Sequence, residues 1–141
     1  MRSWVEETLA DLRRAGYRGG GARRAVIRLL GEEDCCLSAQ QIVNRLREEE
    51  HDIAPASVYR VLDLLVEHGY VQKLDVGAGT ALYEARHRHG HHHHVVCGNC
   101  GKVEPFDDPE LEQALEQAQA RLGHAAATHE VVLHSHCDDC G

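Results

Sequence analysis

The chain has 141 residues, enough for one ordinary domain or two small ones, and its single Trp and single Phe point to an aliphatic core. Twenty-three acidic against fifteen basic residues give a net charge of −8, which argues against non-specific nucleic-acid binding, where phosphate contacts dominate. The start, Met1-Arg2-Ser3-Trp4-Val5-Glu6-Glu7, is too acidic for a signal peptide and no run approaches membrane-spanning length, so the expected compartment is a reducing cytosol, with no membrane partner.

Along the chain, Ser3 is the expected N-cap of a first helix over 4–15 stopped by Gly16, and 22–30 reads as a second helix ended by Gly31. Ser38 opens a third helix running to about Glu49, with Ile42, Val43 and Leu46 on one face. Ala54-Pro55 starts a fourth, since Pro suits the first helical position, and Val58, Val61, Leu62 and Leu65 give it a 3.6-residue stripe. Two short β-prone runs, 70–76 and 80–84, flank Gly77-Ala78-Gly79 and read as a hairpin. Helices two to four followed by a hairpin have the layout of a winged helix-turn-helix. Charge is uneven: residues 1–60 hold ten Arg against ten acidic residues, while 61–141 hold five basic against thirteen acidic. The N-terminal arginines can therefore still build a locally basic face.

Residues 85–90 are polar and read as a hinge between a first domain over 1–84 and a second over 91–141. In the second, strands are expected at 94–96, 102–106 and 128–134, and Asp108-Pro109-Glu110 starts a helix that Gly123 closes. Two C-x2-C pairs, Cys97/Cys100 and Cys137/Cys140, can complete a tetrahedral all-sulfur shell for structural Zn2+. Disulfides would need an oxidising compartment, and a redox pair needs no matching partner pair. Strand alternation puts His92 and His94 on one face and His91 and His93 on the other, so that two different ions could be served. All-thiolate sites lack the open position that catalysis uses, and no hydrolytic motif is present, so the chain reads as a non-enzyme.

Ser57-Val58-Tyr59-Arg60-Val61-Leu62 followed by His91-His92-His93-His94-Val95-Val96-Cys97-x-x-Cys100-Gly101-Lys102-Val103 and the terminal cysteine pair resembles the ferric uptake regulator family over nearly the whole chain. The resemblance implies an α+β protein with an N-terminal winged helix-turn-helix DNA-binding domain and a C-terminal α/β dimerisation domain carrying a structural four-cysteine zinc. It implies a dimeric, metal-responsive repressor of metal-uptake genes that binds AT-rich pseudo-palindromic promoter DNA. Ser57, Tyr59 and Arg60 lie near the start of the helix that would face the major groove, and Arg23 matches a family basic position near phosphate.

By the same resemblance, His92 and His94 belong to a regulatory site between the domains, with Glu84 as its carboxylate. Cys36 stands where the family often has His, either as a ligand or, with Cys35, as a small core residue. An acidic ligand usually found after the first cysteine pair falls where Pro105 stands, so either Glu104 substitutes for it or that ligand is missing. His91, His93, Glu112 and His129 match a third site. The regulatory ion is Fe2+ or Zn2+: iron sensing is the family's commonest role, whereas a Cys36 thiolate favours zinc. Peroxide sensing relies on aspartates where Glu84 and Pro105 stand. The alternative is a zinc-binding interaction or metal-storage module without DNA binding, which needs no Tyr59-Arg60 at a recognition-helix start.

Overall fold

The computed structural model describes residues 3–33, 35–75, 80–86, 92–124 and 129–140. The expected turn at 77–79, most of the expected hinge and His91 lie outside the described residues. The chain divides into two compact units, Met1–Gly90 and His91–Gly141.

The first unit begins with helix α1, Trp4–Arg14, started by a reciprocal capping box: Ser3 Oγ accepts from the Glu6 amide while Glu6 accepts from the Ser3 amide. Helix α2 runs Gly21–Glu32 and continues through Gly31, where the sequence predicted a stop. Gly31 is instead a place of close approach: a Cβ built there would lie 2.3 Å from Val5 Cγ2, so glycine lets α1 seat against α2. A two-residue strand β1, Leu37–Ser38, was not expected, because two residues carry no periodicity. Helix α3, Ala39–Glu48, has a second capping box between Ser38 and Gln41. The turn after it passes through Glu50 in the left-handed region, φ 62°, a conformation usually left to Gly or Asn.

Helix α4, Pro55–Glu67, follows, and strands β2, Val71–Asp75, and β3, Ala81–Ala85, complete an antiparallel sheet of order β1-β3-β2. One core fills this unit. Ile27 and Leu30 of α2, Ile42 and Leu46 of α3 and Leu62 and Leu65 of α4 are fully buried in it, each contributing about 1.5–3 kcal/mol of hydrophobic stabilisation. Two side-chain contacts tie the far end of α4 to the start of the chain: Tyr70 Oη donates to Asp11 at 3.1 Å, and His68 Nε2 meets Tyr17 Oη at 3.2 Å.

The second unit has a three-stranded sheet of order β5-β4-β6, built from β4, His93–Cys97, β5, Val103–Phe106, and β6, Val132–Ser135. Strand β4 is central, antiparallel to β5 and parallel to β6. Helix α5, Pro109–Leu122, starts where Asp108 accepts from the amides of Glu110 and Leu111 and stops at Gly123 in the left-handed region. Among this unit's described residues only His93, His94, Val96 and Cys97 are buried, and α5 buries none. This half therefore has almost no apolar core of its own. No helix among the described residues is long and apolar enough to cross a membrane.

Candidate metal centres and the exposed face of helix α4

The end of β4 supplies Cys97, the turn after it Cys100, and the short turn Asp138–Cys140 beyond β6 brings Cys137 and Cys140 to the same place. Parallel pairing of β4 with β6, Cys97 opposite Ser135, is what carries the distant cysteine pair there. All four sulfurs lie within 4.8 Å of one another, with Cys97–Cys140 at 3.4 Å, Cys100–Cys137 at 3.6 Å and Cys137–Cys140 at 3.2 Å. Four ~2.3 Å zinc–sulfur bonds in a tetrahedron put the sulfurs about 3.8 Å apart, so a small expansion accommodates the ion. All six cysteines of the chain are free thiols. Amides of Cys100 and Cys137 aimed at Cys97 lower its thiol to about 5, preparing a thiolate. Sulfur sharing with Cys137 and Cys97 pushes Cys140 up to about 12, so an ion must displace its proton. Lys102 Nζ lies 3.0 Å from both Asp139 and Glu104, beside the cage.

Glu112 on α5 is gripped from two sides: one carboxylate oxygen faces His93 Nε2 and the other lies 2.9 Å from His129 Nε2. The Val131 amide donates to His93 Nδ1 at 3.2 Å, so in the neutral ring Nε2 carries the proton that faces Glu112. An ion here would have to take that proton's place. This trio fits a cation less directly than the sulfur cage does. His91, the fourth member expected of this site, lies outside the described residues.

In the first unit, Glu84 is buried on β3, and the β1–β3 ladder pairs Leu37 with Tyr83. One step further along that ladder brings Cys36 to Glu84. The sulfurs of Cys35 and Cys36 are 3.2 Å apart, and they and a Glu84 oxygen lie within 4.8 Å of one another. Sharing with Cys35, burial and the charges of Glu84 and Glu33 push the Cys36 thiol well above the usual range. Cys35 was assigned no ligand role from sequence, yet it belongs to this cluster. In the second unit the rings of His92 and His94 meet edge to face, centroids 5.1 Å apart, as alternation predicts. Glu104 does not join them: it pairs opposite Val95 on the other face of β4, while Pro105 is opposite His94. Its carboxylate is instead engaged by Lys102.

Helix α4 buries Val58, Val61, Leu62 and Leu65 and turns Tyr59, 48% exposed, and Arg60 to solvent. Ser57 is half-buried at the helix start, beside an open hollow of about 450 Å³ whose rim includes Arg24 and Arg28. Those two arginines went unassigned from sequence. Arg23 is held back, its guanidinium over the Tyr17 ring at 5.5 Å and donating to the Arg18 carbonyl.

A winged helix with an outward-facing fourth helix, continuous with a module of converging sulfur and imidazole ligands, defines a metal-dependent transcriptional regulator. The chain belongs to the ferric uptake regulator family, whose profile matches residues 14–134. It is 32% identical over 135 residues to the ferric uptake regulation protein of Neisseria meningitidis, covering 94% of this chain and 92% of that one. The crystal structure of the Vibrio cholerae ferric uptake regulator superposes with TM-score 0.82 at 28% identity, covering 92% of this chain and 99% of that chain. The Helicobacter pylori ferric uptake regulator, described as having three functional metal binding sites, gives TM-score 0.85 at 25% identity over 98% of this chain and 91% of that chain. Proteins of this family regulate transcription and are not enzymes.

Proposed function

We propose that the protein is a metal-activated, DNA-binding repressor of metal-uptake genes that works as a cytoplasmic homodimer. Residues 1–84 serve as the reader and 91–141 as the dimerisation module, joined by the hinge at 85–90. The observation that carries this reading is α4 itself: its apolar stripe is buried, and Tyr59 and Arg60 are exposed near the end that helix-turn-helix readers put into the major groove. Arg24 and Arg28 at the neighbouring rim supply positive charge for phosphates despite the acidic net charge. The half-buried row Leu111, Leu115 and Ala118 on α5, with Leu122 71% exposed, gives a second copy an apolar face to cover.

Structural Zn2+ is assigned to Cys97, Cys100, Cys137 and Cys140. A regulatory ion, Fe2+ or Zn2+, is assigned to Glu84 and Cys36 of the first unit together with His92 and His94 of the second, and a further cation to His93, Glu112 and His129. Ligands on separately moving units let occupancy shift the population toward an arrangement that fits successive half-sites of an AT-rich pseudo-palindrome. Bound at a promoter, the dimer excludes polymerase.

Fluorescence anisotropy with operator DNA tests this. Restoring the regulatory ion should raise affinity, and Arg60→Ala should lower it by the roughly 1–3 kcal/mol that a base contact contributes. Equal affinity with that ion stripped or restored would overturn the proposal. Absence of any salt-sensitive DNA binding would favour a zinc-binding interaction module instead.

A further inference from the structure

We infer that Cys35 and Cys36 act together as a dithiolate, so that the regulatory centre is built for a thiophilic ion such as Zn2+ and not for Fe2+. The inference rests on the reading of Glu84 as part of that centre. Neighbouring residues in extended backbone point to opposite sides. Here the chain bends at Cys35, and both sulfurs converge on the Glu84 carboxylate. Their 3.2 Å separation equals that of Cys137 and Cys140 in the four-cysteine cage. The two sulfur pairs thus have the same separation, and each is opened by about half an ångström around a ~2.3 Å metal–sulfur bond.

The pair does not behave as core filling. Both cysteines are only half-buried, and each has the other's sulfur and the Glu84 carboxylate within 4.8 Å. A half-buried dithiol is reachable by an ion. On binding, each Sγ–H bond gives its proton to solvent as an Sγ–metal bond forms, with no change of oxidation state. Two thiolates and a carboxylate carry three negative charges, which a divalent ion largely neutralises. Soft sulfur donors, and the place of Fe2+ below Zn2+ in intrinsic affinity, both select zinc.

The test uses full-length protein with Zn2+ retained in the four-cysteine cage and Co2+ titrated into the remaining sites. Wild type should develop a near-ultraviolet thiolate-to-cobalt charge-transfer band. Cys35→Ser and Cys36→Ser should each remove about half of it, and the double variant all of it. Competition should show Zn2+ affinity falling by at least the ~10–100-fold that loss of even a supporting group costs, with Fe2+ affinity changing less. An undiminished band in Cys35→Ser would overturn the inference. Cadmium-113 NMR of the wild type needs no variant: a low-sulfur resonance beside the four-sulfur one supports the dithiolate, and a four-sulfur resonance alone refutes it. Should the band behave as expected while DNA affinity ignores the ion, the dithiolate stands and the regulatory reading falls.

Discussion

Stripping the metal from the four-cysteine cage should unfold residues 93–140 and leave the first unit intact. The cause is the uneven core: every member of the main hydrophobic cluster lies between Trp4 and Tyr83, whereas Val96 and Cys97 are the buried apolar residues of the second unit's described part. A module of that size with a full core rarely gains more than ~3–5 kcal/mol, and this one has much less than a full core. Structural zinc contributes about 10–16 kcal/mol in comparable small domains. The ion therefore outweighs the apolar packing that β4, β5, β6 and α5 have within one copy. Hydrogen exchange read by mass spectrometry distinguishes the halves. Chelation, or Cys137→Ser, should abolish protection in peptides covering β4 and α5 while amides of α2 and α4 exchange as before. Protection of β4 that survives a verified loss of zinc would refute the reasoning.

Gly31→Ala should destabilise the first unit by about 1–3 kcal/mol in urea unfolding, because the added methyl meets Val5 at 2.3 Å; helix propensity alone predicts the opposite sign, a gain of about 1 kcal/mol. Acid should release the cage metal, because protons compete with it for the thiolates. Cys97 is lowered from the usual thiol range to about 5, so its contribution is present at neutral pH and is lost as pH falls through that value, which a chromophoric chelator would read as released zinc. Loss of the metal at a pH no lower for wild type than for a variant in which the Cys97 amide donors are displaced would contradict the amide-stabilised thiolate.

Much of the architecture is legible in the residues because its signals are local. Ser3, Ser38 and Asp108 cap helices where their short oxygens suit the first free amides, and the α4 stripe at Val58, Val61, Leu62 and Leu65 is the face that is buried. What fails is whatever a second element decides. Gly31 reads as a stop until one sees Val5 lying across it. Strand β1 is too short to have a period, yet it sets Cys36 beside Glu84. Glu104 was placed by its distance from Cys100 along the chain, and cross-strand register, which sequence spacing does not contain, turned it to the wrong face. The sulfur cage was legible for the converse reason: ligand identity survives without knowledge of the ladder, and only the path by which β6 returns beside β4 needed the structure.

The two units are stabilised by different means, and this has a functional consequence. The first is held by aliphatic packing that is indifferent to metal supply, so an exposed Tyr59 and Arg60 keep their place on α4 whether or not any ion is present. Were that helix itself ordered by metal, loss of the ion would expose a core and invite aggregation. In the proposed reading the second unit takes its order from an ion held by four thiolates, one of them already acidic enough to ionise at neutral pH. Under the proposed function, a cage filled first and a cluster at Cys35, Cys36 and Glu84 filled later would give a protein whose fold is constant over the range in which its occupancy changes. That separation of affinities is what a sensor requires: the structural ion must not be the one it counts.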